Sequence, residues 1–145
     1  MAQRPHLAAP LLLAVAVLLI LYVSLYPFRF APDGPSMVAT VELLTWARAS
    51  HGDMLNNVLL YMPLGFCVAL IVEPRFGRAA AMGAALIAGA ALSLSMELLQ
   101  ASVAPRVPSL TDLTLNAVGA LAGTLGGSAW HAFGSRIAPQ GGRLA

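Results

Sequence analysis

Hydrophobic residues are concentrated in four long stretches of this chain. The stretches cover approximately residues 7–26, 54–72, 79–103 and 110–133. About 20 consecutive apolar residues match the ~30 Å hydrocarbon core of a bilayer. The pattern therefore predicts an all-α fold, a polytopic membrane protein built as a bundle of four transmembrane helices.

Composition agrees with this pattern. The chain has 145 residues, of which 59% are hydrophobic and only 10% charged, and its mean hydropathy is +0.79. About a quarter of the residues in a typical soluble domain are charged, so lipid is the expected surrounding of this chain. The net charge is only +2, and the basic residues form no continuous stripe. This argues against a nucleic-acid partner.

The first stretch carries no charge and is followed by an aromatic run, Tyr26-Pro27-Phe28-Arg29-Phe30. Such a run is typical of a membrane–water interface. A signal peptide would have a shorter apolar region and a small-residue cleavage site. Residues 1–30 are therefore interpreted as an uncleaved transmembrane helix with an interfacial anchor.

Residues 31–52 form the most hydrophilic region and are predicted to be an outer loop. Its first part, Pro32-Asp33-Gly34-Pro35, has turn chemistry. Ser36 then caps a predicted short helix that extends through Ser50. This helix either lies at the membrane surface as an amphipathic element or covers the bundle. The apolar positions at helical spacing are Met37, Val41, Leu44 and Ala47.

Residues 53–134 are predicted to form a three-helix core, followed by a flexible tail over 135–145. Pro63 and Gly65 predict a kink in the second span, and residues 73–78 a very short loop. Three glycines are predicted to allow close helix contact. They are Gly65 in the second span and Gly119 and Gly123 in the fourth.

Arginine placement predicts the orientation, because cytoplasmic loops carry an excess of positive residues. Five arginines fall on the side of the two termini and three on the other side. We therefore expect both termini in the cytoplasm and the loop over 27–53 outside. The two groups are Arg4, Arg75, Arg78, Arg136 and Arg143, and Arg29, Arg48 and Arg106.

Polar side chains recur near the same end of the last three spans. Glu97 is predicted to lie roughly 9 Å inside the outer boundary, since each helical residue rises about 1.5 Å. Ionisable groups at membrane depth are costly and usually face a partner or a cavity. The candidates for a shared polar pocket are Asp53, Asn57, Glu97, Gln100, Arg106, Asp112 and Asn116.

Each candidate also has a structural interpretation. Ser50-x-x-Asp53 and Ser109-x-x-Asp112 both fit a helix-capping pattern. In the structural interpretation, Asn57 and Asn116 form hydrogen bonds between helices. If Glu97 is buried, it needs a cationic or protonated partner. Arg106 is the nearest arginine in sequence. A Glu97–Arg106 pair would either only stabilise the fold or take part in the function, and both interpretations stay open.

Neither a metal nor a cofactor is predicted. Cys67 is the single cysteine and lies within a hydrophobic stretch, so it makes no internal disulfide and no metal cluster. His51 and His131 are interpreted as interfacial residues.

The order of the polar residues is distinctive. It reads Asp53-Met-Leu-Asn-Asn57, Pro63-Leu-Gly65, Glu97-Leu-Leu-Gln100, Arg106, Asp112-Leu-Thr-Leu-Asn116 and Gly119. Over residues 53–127 the chain resembles the VanZ-like family of bacterial membrane proteins. The resemblance implies a small helical domain of the bacterial cytoplasmic membrane, with a link to glycopeptide resistance, especially to teicoplanin. Many members carry an aspartate where this chain has Ser109, which weakens any metal or acid–base assignment.

Three functions remain open at this point. The first is an envelope protein whose outward pocket binds or modulates a lipid-linked or cell-wall component. The second is a scaffold whose polar network only holds the helices. The third is a membrane enzyme acting on a lipid or cell-wall precursor head group, with Glu97 as general acid or base and Arg106 stabilising an anionic group. The sequence predicts no oligomeric state.

Overall fold

The computed structural model describes residues 8–30, 37–46, 48–101 and 108–137. Within these ranges the chain is almost entirely helical and forms no β-strand, which confirms the all-α prediction. Several predictions lie outside the described residues: the turn over 32–35 with the helix cap at Ser36, Arg106 with the turn that contains it, and the end of the tail. The helices are α1 Ala8–Leu25, α2 Met37–Glu42, α3 His51–Gln100 and α4 Leu110–Ile137.

The chain reverses within α3 at Gly77. This residue has φ 82° and ψ 168° and is the one interior position of α3 with non-helical dihedrals. Such dihedrals are almost restricted to glycine. The halves on either side pack together, because Tyr61 lies beside Ser93 and Leu64 shares a buried cluster with Met96.

One prediction about this region is corrected. The loop predicted over 73–78 is reduced to Gly77, since helix continues up to it and resumes directly after it. Pro63 and Gly65 lie inside α3 with helical backbone dihedrals, and the kink predicted there stays a prediction.

The core joins three helices. Ile20 of α1, Tyr61 and Met96 of α3 and Ala120 of α4 belong to one buried cluster. Away from this cluster α1 is largely uncovered, and Leu11 and Leu18 are 67% and 63% exposed. By length and composition, α1 and α3 qualify as helices that could cross a membrane.

α4 packs against the first half of α3 with almost no space between the two backbones. A Cβ atom on Gly119 would collide with the Val58 backbone, and one on Gly123 with the Met62 backbone. From the other side, a Cβ atom on Gly65 would collide with the Ala120 carbonyl. This explains the glycines at all three positions, since any side chain would push the helices apart.

The predicted amphipathic helix is shorter than expected. The pattern predicted helix through Ser50, but α2 ends at Glu42. The Thr45 carbonyl instead accepts a hydrogen bond of 3.0 Å from the Leu110 N–H, and Thr45 forms a β-bridge with Ser109. This contact satisfies a first-turn donor of α4 that has no partner within its own helix, so a tertiary contact overrides the local helical pattern.

Candidate functional site: a polar cavity at one end of the bundle

A polar cavity of about 360 Å³ opens at the end of the bundle opposite Gly77. All three long helices contribute to it, as does the extended segment that leads into α3. Because α3 reverses, its first and last turns meet at this end. The lining residues are Val23, Ser24, Arg48, Ala49, Asp53, Asn56, Asn57, Leu60, Met96, Glu97, Gln100, Ser109, Asp112 and Asn116.

Six of the seven predicted pocket residues line this cavity, and the seventh, Arg106, lies outside the described residues. The spacing puts the members of each pair on one helix face, because residues three or four apart are neighbours on a helix. The reversal of α3 and the packing of α4 bring these faces together. Whether these residues bind anything stays a prediction. The six are Asp53, Asn57, Glu97, Gln100, Asp112 and Asn116.

Sequence reasoning did not place several other polar lining residues. Arg48 belongs to the non-helical segment before α3, where no periodicity predicts which way a side chain points. Asn56 follows Asp53 by three residues, a spacing that puts both on one helix face and is the signal for its position. Ser24 enters because the end of α1 packs against the last turn of α3. The capping pattern singled out Ser109 without assigning it to the pocket.

At the exposed rim of the cavity, Asp53 caps its own helix. The Ser50 hydroxyl oxygen accepts a hydrogen bond from the Asp53 N–H at 3.2 Å, and the Ser50 N–H donates to Asp53 Oδ2 at 3.3 Å. This reciprocal pair is a capping box. The capping interpretation of Asp53 is confirmed, and the same carboxylate also lines the cavity.

At the floor of the cavity, Glu97 holds the start of α4. It is 4% exposed, and its Oε2 atom accepts a hydrogen bond of 2.9 Å from the Ser109 N–H. The Ser109 hydroxyl in turn accepts from the Asp112 N–H at 3.2 Å, as an N-cap residue does. A carboxylate at a helix N-terminus is favoured by the helix dipole.

Two amide side chains tie the floor to neighbouring helices. Gln100 Nε2 donates to the Ser24 carbonyl of α1 at 2.7 Å. Asn116 Nδ2 donates to Ser93 Oγ at 2.9 Å and so joins α4 to α3. The Asn116 Oδ1 atom is buried and accepts no hydrogen bond within the described part of the chain. The Tyr61 hydroxyl is also buried and makes no hydrogen bond there.

The acidic residues do not converge as metal ligands. Among the residues that the structure describes, no group of three His, Cys, Asp or Glu side chains is arranged to hold a metal ion. The described lining offers carboxylate and amide oxygens, amide and hydroxyl donors, and one guanidinium group.

Comparison with known proteins identifies a family. The family model described as VanZ/LLP1 matches residues 11–131, which covers all of α3, most of α1 and α4, and every residue that lines the cavity. Neither a curated protein nor a solved structure matches the chain.

Proposed function

Because this chain belongs to the VanZ/LLP1 family, we propose that it is a multi-pass protein of the bacterial cytoplasmic membrane whose outward-facing cavity binds or modulates an envelope component. The observation that carries this proposal is the cavity itself. Polar groups from three otherwise apolar helices converge on one space of about 360 Å³. Such groups are rare in membrane helices and mark functional sites by default.

The proposed topology has four spans. As one straight helix, the 50 residues of α3 would extend about 75 Å, more than twice the ~30 Å hydrocarbon core. The reversal at Gly77 divides α3 into two spans that run in opposite directions. α1, with 18 residues, and α4, with 28, supply the first and fourth spans.

The proposed orientation places the cavity outside. Arg75 and Arg78 flank the reversal at Gly77, at the end of the bundle away from the cavity. Positive residues favour the cytoplasmic side. With the reversal in the cytoplasm, the cavity opens towards the outer face and both termini are cytoplasmic.

Co-purification tests the binding function. The full chain would be extracted in a mild detergent, and bound lipids or cell-wall precursors would be identified by mass spectrometry. Asn57→Leu places an apolar side chain in the cavity wall, whereas Ser95→Ala removes an exposed hydroxyl outside it. We expect an enriched compound with wild type and Ser95→Ala that is lost with Asn57→Leu. A wild-type sample with no enriched compound would contradict the proposal.

A scaffold function is the second candidate, because specific contacts favour it. The bonds from Glu97 to Ser109 and from Asn116 to Ser93 both join α3 to α4. A scaffold predicts that every cavity variant acts only through stability. The family resemblance supplies a physiological readout, the teicoplanin susceptibility of cells with and without the protein. A stable Asn57→Leu variant that alters this susceptibility would argue against the scaffold.

A further inference from the structure

We propose that the cavity binds a phospholipid headgroup whose inner end donates hydrogen bonds, with the phosphate at Arg48 and the donor end at Asn116. The inference rests on the proposed function, since it assigns a chemical class to the envelope component. It predicts selectivity for ethanolamine and glycerol headgroups over choline.

The floor of the cavity presents oxygen acceptors. The amide groups of Gln100 and Asn116 each direct an N–H at the protein, towards Ser24 and Ser93 respectively. Their carbonyl oxygens, which cannot donate, remain for other donors. The carboxylates of Glu97 and Asp112 line the same space and only accept when ionised.

Asn116 supplies the most specific sign of a missing donor. The residue is 7% exposed, and its Oδ1 atom has no hydrogen-bond partner in the described part of the chain. More than nine in ten buried polar groups in proteins are hydrogen-bonded. Asn116 lines the cavity, but the Oδ1 atom itself is covered. An O–H or N–H of a bound molecule becomes its partner when the Asn116 amide turns towards the cavity.

Arg48 supplies the complementary group at the rim. Of the lining residues that the structure describes, it alone carries a positive charge, and it is exposed, whereas Glu97 and Asn116 are buried. A guanidinium group matches phosphate oxygens with two parallel hydrogen bonds. A headgroup therefore enters with its phosphate at the rim and its donor end at the floor.

Choline is the matched negative control for this arrangement. Phosphatidylcholine carries the same phosphate as phosphatidylethanolamine, but its trimethylated nitrogen has no N–H. Phosphatidylglycerol reaches the floor with hydroxyl donors. An unmade hydrogen bond to one buried acceptor weakens binding by about tenfold or more, so we expect choline lipid to bind at least about tenfold more weakly.

The test uses the full chain in a non-ionic detergent with three lipids of identical acyl chains. Native mass spectrometry and lipid-dependent thermal shifts would measure the affinity for phosphatidylethanolamine, phosphatidylglycerol and phosphatidylcholine. Wild type should bind each of the first two about tenfold more tightly than the third. This comparison needs no mutant and therefore does not depend on the folding of a variant.

Variants then assign the two ends of the headgroup. Asn116→Leu should abolish the preference over choline lipid, whereas Arg48→Gln should weaken all three lipids to a similar degree. Thr124→Val is the matched control. It also removes a buried polar group of α4, one that donates to the Ala120 carbonyl outside the cavity, and it should keep the preference.

The outcomes separate this inference from the proposed function. Equal binding of the three lipids to wild type would overturn the donor assignment and leave a binding protein. A preference that survives in folded Asn116→Leu would overturn the role of Asn116. If none of the three lipids binds but a different envelope compound co-purifies, the inference would be overturned and the proposed function supported. Failure of both experiments would overturn both.

Discussion

The Glu97 carboxylate accepts a hydrogen bond of 2.9 Å from the Ser109 backbone N–H. A side chain from the last turn of α3 thus holds the residue that caps α4. Both residues are buried and line the cavity. One contact therefore joins the end of α3 to the start of α4 and also places a carboxylate at the floor of the candidate site.

Removal of the Glu97 carboxylate should destabilise the protein. Glu97→Ala leaves the buried Ser109 N–H without its acceptor, which typically costs about 1–3 kcal/mol. Glu97→Gln keeps an oxygen acceptor in nearly the same place and should cost less. Thermal unfolding in detergent measures both. Equal stability of Glu97→Ala and wild type would show that the bond contributes nothing to the fold.

The pairing of Glu97 with Arg106 stays a prediction from sequence. If the two interact, Glu97→Ala and Arg106→Ala should each destabilise the protein, and the double variant should lose less than the sum of the two. A double-mutant cycle of unfolding free energies measures this coupling. Strict additivity would exclude the pair.

Close packing of α4 on α3 makes a sharp prediction for two neighbouring glycines. Gly123→Ala would drive a Cβ atom into the Met62 backbone, whereas the same change at Gly126 meets only the Phe66 side chain at 3.8 Å. We expect Gly123→Ala to cost about 1–3 kcal/mol, as overpacking does. Gly126→Ala should be neutral or slightly stabilising, because alanine favours helix. Comparable melting temperatures for the two variants would contradict the packing.

The reversal at Gly77 should not tolerate a side chain. Its positive φ places it in a region that costs other residues about 1–3 kcal/mol. Gly77→Ala should lower the unfolding free energy by this amount, although nothing lies within 4 Å of the added atom. Gly83→Ala is the control, since that glycine is helical and equally uncrowded. If Gly83→Ala lowers the unfolding free energy as much as Gly77→Ala does, backbone strain at Gly77 does not explain the effect.

Capping and ligand binding can be separated at the start of α3. Ser50→Ala removes the hydroxyl that accepts from the Asp53 N–H and should cost about 1 kcal/mol. Because Ser50 does not line the cavity and Asp53 does, Ser50→Ala should leave lipid binding unchanged. Asp53→Ala should also weaken the cap, but it should strengthen lipid binding, because it removes a negative charge from the rim where the phosphate is proposed to lie. Thermal unfolding and lipid titration of the same samples would decide. Unchanged binding by Asp53→Ala would limit this residue to capping.

The proposed orientation can be tested with two exposed aromatic positions. In a Cys67→Ala background, Trp46→Cys and Phe76→Cys introduce single thiols at residues that are 71% and 72% exposed. A membrane-impermeant maleimide should label Trp46→Cys in intact cells and Phe76→Cys only after lysis. The opposite pattern would turn the cavity towards the cytoplasm.

The helical class and the approximate bounds of the long helices were predictable from sequence, because hydrophobic runs of this length have few alternatives to helix. The capping box at Ser50 and Asp53 was predictable for a related reason, since it depends on residues three apart. The spacing of Glu97 and Gln100, and of Asp112 and Asn116, also predicts which side chains share a helix face.

Tertiary structure alone decided the rest, because it depends on contacts between residues that are distant in sequence. Thr45 is not helical, and its carbonyl accepts a hydrogen bond from the Leu110 N–H. No local sequence pattern indicates this contact. Arg48 enters the cavity because the segment before α3 lies against the starts of α3 and α4. The unpaired oxygen of Asn116 follows from a bond to Ser93, 23 positions earlier in the chain. Helical periodicity determines the faces of this protein, whereas the reversal at Gly77 and the close packing of α4 determine which faces meet.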